Sequence, residues 1–106
     1  MAEIINSYQE ITIKWLNDHN ICILSRSNNK EAQISVGLIE LVKGIETYKQ
    51  RPRNRFQACA NFTAVLEQLE KTKNLDISEY NPYKMCCGDF KEILKLIFFI
   101  DYKMIV

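Results

Sequence analysis

In Ile34-Ser35-Val36-Gly37-Leu38-Ile39-Glu40-Leu41-Val42-Lys43-Gly44-Ile45-Glu46-Thr47-Tyr48, the large side chains Ile34, Leu38, Leu41, Ile45 and Tyr48 recur at steps of four, three, four and three. That rhythm gathers them on one stripe of an α-helix, whereas a strand would need alternation every second residue. A heptad-like stripe predicts a helix packed nearly parallel or antiparallel to another one. Upstream, Asn28 and Glu31 form a box-like capping pair. Downstream, Pro52 lacks a backbone donor and pushes Arg51 out of helical geometry, so the helix is expected to end or kink there. Gly37 and Gly44 flank the stripe, and each costs about 1 kcal/mol relative to Ala inside a helix. Close approach of a neighbouring helix would offset that cost; otherwise the glycines are merely tolerated.

Working outward, Asn54 is placed to cap a third helix whose face is built from Cys59, Phe62, Val65, Leu66 and Leu69, with Glu67, Glu70, Lys71 and Lys73 on the wet side. The second and third helices then make an αα-hairpin. Toward the N-terminus, Ser7-Tyr8-Gln9-Glu10 has the form of a capping box, and Tyr8, Ile11, Thr12, Trp15 and Leu16 make an apolar stripe behind it. A first helix from Ser7 to about Asn17 is expected. Residues 75–83 carry Asp76, Ser78 and Asn81-Pro82, the chemistry of turns and caps with room for one helical turn. Asp89 and Glu92 are suited to cap a last helix from Phe90.

Two segments resist periodicity. Ile21-Cys22-Ile23-Leu24 is a short apolar run, and Leu94-Lys95-Leu96-Ile97-Phe98-Phe99-Ile100 is apolar on nearly every side. Each has strand character, and 21–24 and 96–106 would together make a minor two-stranded element. For the second, the cap and the length favour helix. The fold expected is mainly α, a bundle of about four helices in one domain over 1–106, with or without that β-pair.

Composition narrows the function. The chain has 106 residues, 47% hydrophobic and 25% charged, with 14 basic against 13 acidic side chains. A net charge of +1 gives no long-range field toward polyanions, so electrostatic recognition must be local. No apolar stretch nears the roughly 20 residues of a membrane span, and the first residues lack the pattern of a secretory signal. A cytoplasmic chain with no membrane association is expected, with Cys22, Cys59, Cys86 and Cys87 reduced.

Catalytic constellations are not evident. His19 stands where a helix ends, a position at which histidine favourably meets the dipole. No serine sits in a nucleophile-elbow context. Cys86 and Cys87 are adjacent, without the two-residue gap that lets two thiolates chelate one tetrahedral ion, and buried cysteines otherwise behave as small hydrophobes. Neither an enzyme, a metal site nor a cofactor is expected.

Two features carry a binding hypothesis. Lys49-Gln50-Arg51-Pro52-Arg53-Asn54-Arg55 holds four cations in seven residues and no acid. Projecting from one end of the hairpin, Lys49, Arg51, Arg53 and Arg55 would grip phosphates or carboxylates; alternatively they pair with the chain's own glutamates. The apolar C-terminal run offers Leu94, Ile97, Phe98 and Met104 as an interface, since a segment apolar all round is not satisfied by one-sided packing. These features predict a non-enzymatic interaction or regulatory protein, inhibitory in one version, that docks a partner or a second copy of itself. The alternative is a nucleic-acid-binding accessory protein using 49–55. A helix-turn-helix presenting Gln57, Asn61 and Gln68 to base edges is disfavoured by a connection rich in Arg and Pro.

Overall fold

The computed structural model describes residues 2–21 and 30–105, and every described element is helical. In order these are α1 (Ala2–Asp18), α2 (Lys30–Val42), α3 (Arg55–Lys73), a 3-10 turn (Ile77–Glu79), α4 (Pro82–Cys86) and α5 (Phe90–Ile100), which runs on into a π-helical turn (Asp101–Ile105). The mainly α bundle expected from sequence is the observed fold. Among the described residues there is no strand. The β-pair is therefore corrected: 96–105 is helical, and 22–24 lies outside the described residues.

Helix α1 starts at Ala2, so Ser7 lies inside it and caps nothing at its N-terminus. Of the expected stripe, Thr12 and Leu16 are fully buried and Tyr8 and Trp15 pack against the core, whereas Ile11 is exposed. The Thr12 hydroxyl donates to the Tyr8 carbonyl at 2.7 Å, which satisfies it without water. Termination is a Schellman motif. Asn20 adopts φ 66°, the Asn20 N–H reaches the Asn17 carbonyl at 3.0 Å, and the Ile21 N–H reaches the Leu16 carbonyl at 2.9 Å.

Helix α2 stops at Val42, ten residues before Pro52. Lys43 and Gly44 take positive φ (60° and 89°), which closes the helix in left-handed geometry. Gly44 is thus a terminator and not a helical contact point. The apolar stripe outlives the helix: Ile34 and Leu38 are buried on it, while Ile45 and Tyr48 pack against the same core from the irregular connector 43–54. Gly37 is the site of close approach, because a Cβ there would lie 2.5 Å from Ile21 Cγ2.

Helix α3 packs on α2 and on α4, and α1 packs on α5. Asn54 caps α3 as expected, its side chain accepting the Gln57 N–H at 2.9 Å. Asp76 caps the 3-10 turn, Asn81 caps α4 with Pro82 in the first turn, and Asp89 caps α5 through the Glu92 N–H. Phe62, Val65, Leu66 and Leu69 from α3 meet Ile93, Leu96, Ile97 and Ile100 from α5 in one cluster of buried residues. The Trp15 indole N–H donates to Asp101 at 3.2 Å and ties α1 to the end of α5.

Candidate binding corner

The connector between α2 and α3 has no regular structure, yet its backbone is held in place. The buried side chain of Asn61, projecting from α3, accepts the Lys49 N–H at 2.9 Å and donates to the Lys49 carbonyl at 2.8 Å. It also donates to the Ser35 hydroxyl on α2 at 3.3 Å. One carboxamide thus joins α2, α3 and the connector, and its polar atoms are satisfied. Four residues beyond Lys49, the Arg53 N–H donates to the Gln57 side chain at 2.7 Å, while Asn54 caps the helix. The segment 49–55 is fastened at both ends.

Its cations remain outside. Lys49, Arg51, Arg53 and Arg55 are exposed, and none of them forms an ion pair with a carboxylate among the described residues. The ion pairs nearby in sequence type, Lys14 with Asp18 and Lys95 with Glu92, lie on α1 and α5. Two clefts meet at Pro52. One, of about 460 Å³, includes Arg51, Gln50, Gln33 and Glu40; the other, of about 270 Å³, includes Arg55, Asn54, Glu31, Cys86 and Cys87. Each cleft therefore offers one guanidinium and one carboxylate that is not bonded to it.

The Cys87 thiol first, and then a hydrogen bond with Tyr83, raise the pKa of the Arg55 guanidinium. Exposed Phe56 flanks the same guanidinium in sequence. Behind Cys87, the buried Cys86 thiol donates to the Tyr83 carbonyl at 3.1 Å. Burial first, then the neighbouring Cys59 and Cys87 thiols, push the Cys86 pKa up to about 12. Among the described residues, no cluster of three or more His, Cys, Asp or Glu side chains is arranged to hold a metal ion.

At the C-terminal end the expected interface residues separate. Leu94 and Ile97 are buried in the chain's own core, whereas Phe98 is 62% exposed and Tyr102, one turn on, is 68% exposed. Leu94 and Ile97 are corrected on this point: α1 packs along α5 and takes up the face that the sequence left without a partner. The side chain of Met104 lies outside the described residues. The helix-turn-helix reading also changes, since Asn61 is buried and committed to Lys49 and Ser35. His19 stacks on Trp15 at 3.9 Å and bonds the Trp15 carbonyl at 2.7 Å, in keeping with a helix-terminal role. Among the described residues no helix is long and apolar enough to cross a membrane.

What sequence reasoning missed is Asn61, a polar residue in an otherwise apolar run, and the Cys86, Cys87 and Arg55 cleft, whose members come from two helices. No protein-family model, curated protein or solved structure matches this chain.

Proposed function

We propose that this chain is a non-enzymatic, cytoplasmic interaction protein of regulatory type, which docks an acidic protein surface on Lys49, Arg51, Arg53 and Arg55. The observation that carries this reading is that, among the described residues, these four cations form no ion pair with a carboxylate, on a backbone fixed by Asn61, Asn54 and Gln57. A pre-positioned guanidinium loses less entropy on binding than one on a loose loop, and its fork matches a carboxylate bidentately. Phe98 and Tyr102 offer a smaller apolar contact for a partner or a second copy.

One observation favours the alternative, a single-stranded nucleic acid as partner. Exposed Phe56 adjoins Arg55 in sequence and exposed Tyr83 interacts with its guanidinium, and aromatic rings beside a cation stack bases. A single experiment separates the two. Fluorescence anisotropy is recorded with a labelled polyglutamate peptide and with a single-stranded oligonucleotide of equal charge, using wild type and a K49A/R51A/R53A/R55A variant. Peptide binding that falls about tenfold or more in the variant supports the main reading. Tighter oligonucleotide binding, lost in the same variant and steep in salt, moves the assignment to nucleic acid. Equal binding by both proteins removes both.

A further inference from the structure

Three thiols meet where α3 packs on α4, a cluster that the binding reading does not use. Cys86, the last residue of α4, is buried, and its sulfur is in hydrogen-bond contact with the thiols of Cys59 and Cys87. Cys59 stands in the second turn of α3, half-buried and packed against the cluster of buried residues to which Cys86 belongs. All three are free thiols. Cys59 acts on Cys86 more strongly than Cys87 does, although Cys87 is its neighbour in the chain. The contact between Cys59 and Cys86 thus joins two helices and is no by-product of adjacency.

We propose that Cys59 and Cys86 are a redox-sensitive tie between α3 and α4, closed as an intramolecular disulfide by hydrogen peroxide and reopened by thiol reductants. In the first step the Cys59 sulfur, its proton lost to solvent, attacks one oxygen of the peroxide. A sulfur–oxygen bond forms and the oxygen–oxygen bond breaks; hydroxide leaves with the electron pair and takes up a proton, giving water and a sulfenic acid at Cys59. In the second step the Cys86 sulfur attacks the Cys59 sulfur. The disulfide forms, the sulfur–oxygen bond breaks, and the departing hydroxide takes the Cys86 proton as a second water. Two thiols together lose two electrons and the peroxide gains them, so no further oxidant enters.

The surroundings of each sulfur set these roles. Cys86 is buried, donates its proton to the Tyr83 carbonyl and holds that proton to high pH, so the first attack falls to Cys59. Oxidation of Cys59 then removes the negative charge that opposes ionisation of Cys86, which eases the second step. Cys87 is exposed and also open to peroxide, but a bridge between Cys86 and Cys87 is strained. Adjacent Cα atoms stand about 3.8 Å apart across a trans peptide, short of the roughly 4.4–6.8 Å that disulfides span. Closing that pair would also disturb the Cys87 N–H, which caps α4 by bonding the Tyr83 and Lys84 carbonyls. The bridge from Cys59 instead fastens a five-residue helix, too short to be stable alone, to the body of α3.

The test uses the full chain. Reduced wild type and Cys87→Ser proteins are treated with hydrogen peroxide under native conditions and, in parallel, in concentrated urea; remaining thiols are alkylated, and the products are read by intact mass and non-reducing peptide mapping. Loss of two hydrogens per chain, mapped to a peptide pair joining Cys59 to Cys86, is expected in both native proteins. Mapping on wild type locates the bridge without relying on a core variant to fold. In urea the helices no longer hold the thiols together, and the share of the Cys59–Cys86 pair is expected to fall about threefold or more as all four cysteines compete. The natively oxidised chain should unfold at a higher urea midpoint than the reduced one and return to the reduced midpoint after dithiothreitol. A bridge from Cys86 to Cys87, one through Cys22, a disulfide between two chains, over-oxidation of Cys59 without a bridge, equal selectivity in urea, or an oxidised chain no more stable than the reduced one would each overturn the proposal.

Discussion

The Asn61 carboxamide makes a two-point clamp on one peptide plane pair, accepting the Lys49 N–H and donating to the Lys49 carbonyl. Because this side chain is buried to 1% exposure, its replacement leaves two backbone groups of Lys49 in search of partners, while the Ser35 hydroxyl keeps its bond to the Ala32 carbonyl. Asn61→Ala is expected to lower stability by about 2–3 kcal/mol in urea unfolding, at the upper end of what an unsatisfied buried group costs. Native-state hydrogen exchange should show the larger loss of protection in residues 47–53, with α5 little affected.

The corner's cations should behave in the opposite way. With no ion pair to break among the described residues, the K49A/R51A/R53A/R55A variant is expected to unfold within about 0.5 kcal/mol of wild type. Urea midpoints with an unchanged m-value would show this. A loss well beyond that value would mean that the guanidinium stems support the fold, and the binding loss in the same variant would then need a second cause.

Much of this architecture was legible because local chemistry and global packing agree. The caps at Asn54, Asp89 and Asn81 were readable from residue type and position, since each side-chain oxygen satisfies donors that the helix itself orphans. The stripe from Ile34 to Tyr48 misled only about where its helix stops. Burial is set by distance from the core and not by helical order, so Ile45 and Tyr48 keep the rhythm after Lys43 and Gly44 have turned the chain. Ser7 failed for a related reason: with α1 beginning at Ala2, Ser7 and Glu10 are two polar residues three positions apart inside the helix and not at its end. Lys49 to Arg55 was visible as a charge run, but its fixity was not, because it depends on Asn61 from another helix. The Cys87 cleft was illegible for the same reason, being assembled from residues some thirty positions apart.

Gly37 tests a close approach made by Ile21, which follows α1, where the sequence reading expected a neighbouring helix. An alanine there gains about 1 kcal/mol in helix propensity, yet its Cβ would stand 2.5 Å from Ile21 Cγ2, a branch fixed near the backbone. Overpacking of this kind costs about 1–3 kcal/mol, so Gly37→Ala is expected to be net destabilising in thermal or urea unfolding. An equal or higher midpoint would show that Ile21 moves aside freely.

Ile97 and Phe98 are neighbours with opposite environments. Ile97→Ala should cost about 2–5 kcal/mol by opening a cavity in the cluster shared by α3 and α5. Phe98→Ser, at 62% exposure, should alter stability by less than about 1 kcal/mol. If Phe98 and Tyr102 serve self-association, sedimentation of a Phe98→Ser/Tyr102→Ser protein should show a smaller mass at high concentration than wild type. Identical, monomeric profiles would leave that surface without a role in dimer formation.

Alkaline pH should weaken the fold through Cys86. Burial and its thiol neighbours hold its pKa near 12, above the roughly 8.5 of a free thiol. Above about pH 8.5 the unfolded chain therefore releases this proton while the folded chain keeps it, and stability falls as pH rises toward 12, by at most about 1.4 kcal/mol per pH unit for one proton. Tyr80, also pushed upward, chiefly by burial and against the opposing pull of Lys95, adds to the same trend above its usual range. Below about pH 8.5 both groups are protonated in either state and contribute no slope. Urea unfolding at pH 8 and at pH 10.5 should show the loss, and Cys86→Ala should flatten the difference although it lowers stability at both values. An undiminished pH dependence in Cys86→Ala would place its source elsewhere in the chain.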